Sequence, residues 1–112
     1  MNPKWTIAEG IDECKKLESF LIPHGFHCAL GGSVLHRGQS FSDLDIFIYP
    51  HKTYGAKSSV EVIRMLRDFY NTELKQAVHD GNSASFADDQ RDGKEVWYCR
   101  EDGQRIDFFL VN

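Results

Sequence analysis

The chain has 112 residues and a formal net charge of −4, which excludes a strong overall attraction for nucleic acid or other polyanions. This length fits one domain over residues 1–112 and is too short for a catalytic domain with a large accessory domain. A hydrophobic fraction of 41% and a charged fraction of 27% are typical of a globular protein with its own core. The sequence shows neither a signal-peptide pattern nor an apolar run of membrane-spanning length. We therefore expect a cytoplasmic protein that does not use a membrane.

The three cysteines are consistent with a cytoplasmic protein. Cys14, Cys28 and Cys99 are odd in number and form no closely spaced pair. Each lies in a segment that is predicted as helix or strand, so we expect buried or half-buried thiols rather than disulfides or metal ligands.

The N-terminal segment predicts a helix. Thr6 and Glu9 form a capping-box pattern, which is typical of a helix start. Apolar residues then recur at helical spacing and predict one buried stripe, which consists of Ile7, Ile11, Cys14, Leu17, Phe20 and Leu21. Pro23 and Gly25 end the helix.

Two strands are predicted next. Residues 26–30 form a short strand that leads into a glycine turn at 31–32 and a short helix over 33–37. The clearest strand covers residues 43–49. One of its faces consists of Leu44, Ile46 and Ile48, and the other of Asp43, Asp45, Phe47 and Tyr49. Because both faces are apolar beyond Asp45, we expect a central strand that is covered on both sides.

The second half of the chain predicts one helix and then mainly strands. Residues 58–61 repeat the capping-box pattern, and the buried side of the following helix consists of Val62, Ile63, Leu66, Phe69 and Tyr70. The remaining elements are a strand over 73–78, a polar loop over 80–92, and a hairpin of strands 95–100 and 105–111 around residues 101–104. This order predicts an α/β (α+β) fold, in which helices pack on a mixed β-sheet.

The strand over 43–49 begins with two carboxylates. Asp43 and Asp45 are two positions apart, so on a strand both side chains point to the same side. They repel each other unless a cation lies between them, and such oxygen ligands favour Mg²⁺ or a similar hard ion. The preceding turn, Gly31-Gly32-Ser33, can offer backbone N–H groups and a hydroxyl to a phosphate. A phosphate site beside a divalent-metal site indicates chemistry on a nucleoside triphosphate.

A third carboxylate lies in the apolar final strand. Burying Asp107 is costly unless it is paired or bound to a metal. If its strand is parallel to the strand of Asp43 and Asp45 and lies next to it, all three side chains converge, because adjacent strands lie about 4.8 Å apart. Such a cluster could hold two Mg²⁺ ions, one orienting a triphosphate and one lowering the pKa of an attacking hydroxyl.

These motifs resemble the polymerase-beta-like nucleotidyltransferase superfamily in its minimal, single-domain type. They are Gly32-Ser33, Arg37-Gly38, Ser42-Asp43-Leu44-Asp45 and Asp107 on a later strand. The resemblance implies transfer of a nucleoside monophosphate from an NTP to an acceptor hydroxyl, with release of pyrophosphate. It implies Mg²⁺ or Mn²⁺ as cofactor, held by Asp43, Asp45 and Asp107, and nucleotide phosphates bound by Gly31, Gly32, Ser33 and Arg37. The acceptor is expected to be an RNA end, a protein or a small molecule.

Two alternatives to this enzyme stay open. Larger members of that superfamily add a helical domain, which is not expected beyond Val111, so a homodimer or a helical protein partner is expected to complete the cleft. The chain could accordingly be a non-catalytic, antitoxin-type binding module with the same fold. A phosphohydrolase that uses the same carboxylates is the third and least favoured interpretation.

Other candidate residues have plainer explanations. For Arg37 a phosphate contact and a solvated surface charge are equally supported. For the basic residues Lys57, Arg64 and Arg67, a solvated helix face is favoured over a phosphate-binding groove. For His24 and His27, surface or core histidines are favoured over a metal site. For Trp97 and Tyr98, core packing is favoured over base stacking.

Overall fold

A computed structural model describes residues 4–51, 59–77 and 95–111 of the chain. Within these ranges, three α-helices pack on a mixed five-stranded β-sheet, as the sequence predicts. The elements are β1 (Trp5–Thr6), α1 (Ile7–Leu21), β2 (Phe26–Gly31), α2 (Gly32–Arg37), β3 (Gln39–Ser40), β4 (Asp43–Pro50), α3 (Ser59–Tyr70), β5 (Lys75–Gln76), β6 (Glu95–Glu101) and β7 (Gln104–Leu110), with a 3₁₀ turn at Ile22–His24. Among the helices of the described ranges, none is long and apolar enough to cross a membrane.

The sheet has the strand order β2-β4-β7-β6-β5. Strands β4 and β7 are parallel, and the other neighbouring pairs are antiparallel. The short strands β1 and β3 form a separate antiparallel pair. The chain therefore reaches β7 from β4 through a long connection, which places two strands from opposite halves of the sequence side by side.

The start of α1 is as predicted, but its buried stripe is partly different. Thr6 Oγ1 accepts a hydrogen bond from Glu9 N at 3.2 Å, and Glu9 Oε1 accepts one from Thr6 N at 3.0 Å, which completes the capping box. Ile7 and Ile11 are exposed, whereas Gly10 is buried. A Cβ at Gly10 would lie 3.0 to 3.2 Å from side chains of α2, β4 and β2, so the helix turns its small residue toward the closest neighbours.

The buried carboxylate of Glu13 is a second difference from the apolar stripe that was predicted for α1. Glu13 is 5% exposed and accepts a hydrogen bond from Tyr70 Oη at 2.8 Å. Lys16 Nζ lies 3.3 Å from its other oxygen. Burial of a charge requires such partners. With them, a polar residue can occupy a core position that hydrophobic periodicity does not predict.

Strand β4 is buried on one face and partly covered on the other. Leu44, Ile46 and Ile48 enter the main core, as predicted. On the second face, the ring of Phe47 stacks on that of Phe109 at a centroid distance of 4.8 Å. Tyr49 is 39% exposed, so the expectation of complete cover on both faces is wrong at this end of the strand.

The remaining elements agree with the predicted order. The buried side of α3 includes Val62 and Leu66, with Ile63, Phe69 and Tyr70 packed at its margin, and Met65 joins it without having been predicted. The hairpin of β6 and β7 turns at Asp102 and Gly103, which both have positive φ, as a two-residue turn of this kind requires. Strand β5 is shorter than predicted, while Ser58 and the loop over 80–92 lie outside the described residues.

All three cysteines are free thiols. Cys28 and Cys99 are buried, and Cys14 is half-buried, as predicted. Cys28 Sγ donates to the backbone oxygen of Cys14 at 3.3 Å, so the Cys28 thiol joins β2 to α1.

Candidate functional site

The parallel pairing of β4 and β7 brings the predicted carboxylates together. In the register of the two strands, Asp45 lies directly opposite Asp107, and Asp43 lies opposite Arg105. Residues that are opposite in a parallel pair point to the same face of the sheet. One ligand oxygen from each of Asp43, Asp45 and Asp107 lies within 4.8 Å of the other two. The condition on which the sequence prediction depended is therefore met.

Burial disfavours the ionised forms of Asp45 and Asp107. Asp107 is 6% exposed, and Asp43 and Asp45 are half-buried. Burial and the neighbouring charge of Asp43 raise the pKa of Asp45 to about 6, although Arg105 opposes the change. Burial and a hydrogen bond with Asp43 raise the pKa of Asp107 to about 7, again opposed by Arg105. Raised pKa values at such a cluster indicate negative charge that a bound cation would stabilise.

The donor set fits a hard divalent cation. It offers carboxylate oxygens from three side chains, with no sulfur or imidazole among the clustered ligands. Such oxygen ligands favour Mg²⁺ or Mn²⁺ over zinc and copper. Ser42 Oγ donates to Asp43 Oδ1 at 3.1 Å, which supplies one of the outer contacts that orient a ligating carboxylate.

The glycine turn lies directly against these carboxylates. Gly31 is opposite Asp45 in the antiparallel register of β2 and β4. Gly32 has φ +63°, and a Cβ at this position would lie 1.8 Å from Asp45 Oδ2. A Cβ at Gly31 would lie 2.4 Å from the ring of Phe47. Both positions therefore exclude a side chain, because Asp45 occupies the space beside Gly32 and the Phe47 ring occupies the space beside Gly31.

An open groove continues from the turn. It has a volume of about 670 Å³ and is lined by Gly32, Ser33, Leu35, His36 and Arg37. Ser33 and Arg37 are exposed on this short helix, so both are accessible to a ligand. The groove therefore includes three of the four predicted phosphate-binding residues, Gly32, Ser33 and Arg37, and Gly32 is the one that adjoins Asp45.

Arg105 and Tyr98 belong to the site but were not among the predicted site residues. Arg105 Nε donates to Asp107 Oδ1 at 2.7 Å, and its guanidinium carbon lies 3.9 Å from the centre of the Tyr98 ring. The sequence signal for Arg105 is its position two residues before Asp107, because that spacing places both side chains on one face of β7. Core packing was favoured for Tyr98, whereas the ring lies half-buried under Arg105.

The other candidates lie apart from the carboxylates. Helix α3, which carries Arg64 and Arg67, packs on the sheet face of Ile46 and Phe108, opposite to the face of Asp45. Arg67 lies 3.7 Å from exposed Glu73, which agrees with a solvated helix face. Lys57 lies outside the described residues.

The two histidines make separate contacts. His24 packs against the ring of Phe20, with ring centres 5.4 Å apart. His27 contacts Glu18 at 3.2 Å through Nδ1 and His51 at 2.7 Å through Nε2. Trp97 packs against the main core, as predicted.

Neither a family model nor a curated protein matches the chain. Its function is therefore inferred from the carboxylate site, the adjacent glycine turn and the resemblance of these motifs to the superfamily named above.

Proposed function

We propose that the protein is a metal-dependent nucleotidyltransferase that moves a nucleoside monophosphate from an NTP to an acceptor hydroxyl and releases pyrophosphate. The observation that carries this proposal is the register of the parallel strands, which sets Asp107 opposite Asp45 beside the Gly32 turn. A carboxylate cluster alone has many uses. A carboxylate cluster beside a turn of bare backbone could bind a triphosphate next to its metals, because the N–H groups of the turn are free of side chains.

Each part of the site has a role in this reaction. Asp43 and Asp45 would hold two Mg²⁺ or Mn²⁺ ions, and Asp107 would hold the one nearer the acceptor. When bound, the metal ions would neutralise the triphosphate and lower the pKa of the acceptor hydroxyl. Gly31 and Gly32 keep the turn free of side chains.

The groove beside the turn would bind the nucleotide. The hydroxyl of Ser33 and the backbone N–H groups of the turn donate to phosphate oxygens. Arg37 adds a permanent positive charge on the same exposed surface. The acceptor is an RNA end, a protein or a small molecule, and a second copy of the chain or a helical partner completes the acceptor side. A cytoplasmic location, where NTPs and Mg²⁺ are abundant and thiols stay reduced, suits this activity.

The proposal is tested with α-labelled and γ-labelled NTPs, Mg²⁺ or Mn²⁺, and RNA, protein and small-molecule acceptors. We expect the α-label to move to one acceptor class with release of pyrophosphate, and a chelator to stop the reaction. Asp45→Asn is expected to lose the transfer because it removes a shared metal ligand. Asp68→Asn, which makes the same change at an exposed position of α3, is expected to keep it.

The other outcomes identify the alternatives. Transfer that persists in Asp45→Asn would reject the assignment of this site. Release of inorganic phosphate from γ-labelled NTP without α-transfer would indicate a phosphohydrolase. Tight association with a helical partner and no turnover on any acceptor would indicate the antitoxin-type binding module.

A further inference from the structure

We propose that Arg105, resting on the ring of Tyr98, is a positioning residue that orients the carboxylate of Asp107 toward the metal site. This inference deepens the proposed function and rests on it. Arg105 Nε donates to Asp107 Oδ1 at 2.7 Å, which is the short distance of a charge-assisted hydrogen bond. The contact joins two residues on the same face of β7 and fixes the side chain that enters the site from the far half of the sequence.

The burial of the pair separates it from an ordinary surface ion pair. The side chain of Asp107 is 9% exposed, and that of Arg105 is 31% exposed. Exposed pairs are screened by water and constrain geometry little, whereas a pair that is largely removed from water holds its arrangement. A change in Arg105 should therefore move the Asp107 carboxylate and not merely change the surface charge.

Tyr98 supplies the surface on which the guanidinium rests. Tyr98 lies opposite Asp107 in the antiparallel register of β6 and β7, so one row across the sheet runs from Gly31 through Asp45 and Asp107 to Tyr98. The guanidinium carbon lies 3.9 Å from the Tyr98 ring centre, within the range of a cation–π contact. The flat ring leaves the planar guanidinium few orientations, and its Nε–H then points at Asp107.

The backbone of Arg105 is also fixed. Buried Trp5 donates from Nε1 to the carbonyl oxygen of Arg105 at 3.0 Å, which ties the start of β7 to β1. The Cα of Arg105 lies opposite Asp43, so the arginine is beside two of the three carboxylates. The arginine side chain is held in one position by its fixed backbone, by the Tyr98 ring and by the hydrogen bond to Asp107. Groups that orient a metal-ligating side chain in this way typically change metal affinity or activity about 10- to 100-fold when they are replaced.

Charge and geometry are separated by two substitutions at Arg105. Arg105→Lys keeps the positive charge but loses the planar group and its Nε donor. Arg105→Gln loses the charge. If Arg105 positions Asp107, both variants bind Mn²⁺ more weakly and turn over more slowly. If it acts only as a counter-ion, the lysine variant equals the wild type, and the glutamine variant binds Mn²⁺ more tightly because a repelling charge has gone.

The ring surface is tested by a matched pair at Tyr98. Tyr98→Phe keeps the aromatic face and is the reference variant, in which the Mn²⁺ affinity is expected to be kept. Tyr98→Leu keeps an apolar side chain without a ring and is expected to reproduce part of the Arg105→Lys defect. Folding of each variant is checked by its far-UV circular dichroism and its urea unfolding curve, so that loss of the fold is not taken for loss of positioning.

The readouts are Mn²⁺ titration followed by electron paramagnetic resonance, and kcat and KM for the NTP. We expect Arg105→Lys to weaken Mn²⁺ binding about 10-fold or more and to lower kcat by a similar factor, with KM changed much less. Mn²⁺ affinity equal to the wild type in Arg105→Lys and Tyr98→Leu would overturn the inference, as would a wild-type chain that binds no Mn²⁺. A wild type that binds Mn²⁺ in this Arg105-dependent way without any transfer would sink the proposed function alone.

Discussion

Gly32→Ala is expected to abolish nucleotide transfer and to lower the free energy of unfolding by about 2 to 5 kcal/mol. The Cβ of alanine would lie 1.8 Å from Asp45 Oδ2, so the carboxylate or the turn must move. A left-handed backbone adds about 1–2 kcal/mol for a residue with a Cβ, and overfilling a packed site adds about 1–3 kcal/mol. Urea unfolding measures the stability change, and Mn²⁺ titration measures the damage to the site.

Gly38→Ala is the matched control for this prediction. Gly38 ends the same short helix with φ +83°, but a Cβ there would meet nothing within 4 Å. It therefore carries the backbone penalty of about 1–2 kcal/mol without the contact with Asp45. We expect Gly38→Ala to keep wild-type Mn²⁺ binding and transfer. A Gly32→Ala variant that also keeps both would show that the close approach of turn and carboxylate is not required for function.

The contrast between these glycines also shows how far the sequence could define the site. The Gly-Gly-Ser turn and the two carboxylates of β4 are close in sequence, so local patterns were enough to associate them. The distance between Gly32 and Asp45 depends on the antiparallel register of β2 and β4, which no local pattern contains. Asp107 could be added only on the condition that its strand lies parallel to β4, and the sheet order meets that condition.

The predictions that failed concern tertiary contacts. The apolar period of α1 favoured Ile7 and Ile11 as buried residues, but both are exposed, because Gly10 makes the closest approach and Glu13 is buried with its partners. Arg105 was missed for a similar reason. An arginine in a hairpin strand is usually a solvated charge, and its role depends on an aromatic ring across the strand pair and a carboxylate two residues on.

Mg²⁺ is expected to offset part of the pH dependence of stability that the carboxylates impose on the metal-free protein. The pKa of Asp45 is about 6 and that of Asp107 about 7, against an ordinary value of 3.8. Between about pH 4 and pH 7 the folded state therefore binds more protons than the unfolded state. Stability falls as the pH rises through this window, and the full penalty is present above it. A ligand that binds the native state at about 100 times its Kd adds about 2.7 kcal/mol, so Mg²⁺ at that excess should recover part of the stability that is lost at neutral pH.

The substitution Asp45→Asn isolates the contribution of Asp45 to the pH dependence of stability from the contributions of other titrating groups. Glu101 is one of these groups, because burial and Glu13 raise its pKa too. The amide cannot ionise, so burial of its charge and its repulsion with Asp43 both disappear. We expect the metal-free variant to be more stable than the wild type above about pH 7, by about 1–3 kcal/mol, and equal to it near about pH 4. The same substitution that removes transfer would thus stabilise the fold, as is common where a functional site keeps unfavourable charge.

The measurement is urea unfolding of the wild type, Asp45→Asn and Asp68→Asn across this pH range, with a chelator or with Mg²⁺. Exposed Asp68 lies on the helix behind the sheet, so its variant should follow the wild type in both conditions. Mg²⁺ should stabilise the wild type most above about pH 7, where both carboxylates are ionised, and should stabilise Asp45→Asn little. Equal Mg²⁺ stabilisation of the wild type and Asp45→Asn would place the ion elsewhere on the molecule. If the stability of the wild type and of Asp45→Asn changes in parallel with pH in the presence of a chelator, ionisation of Asp45 does not destabilise the folded protein.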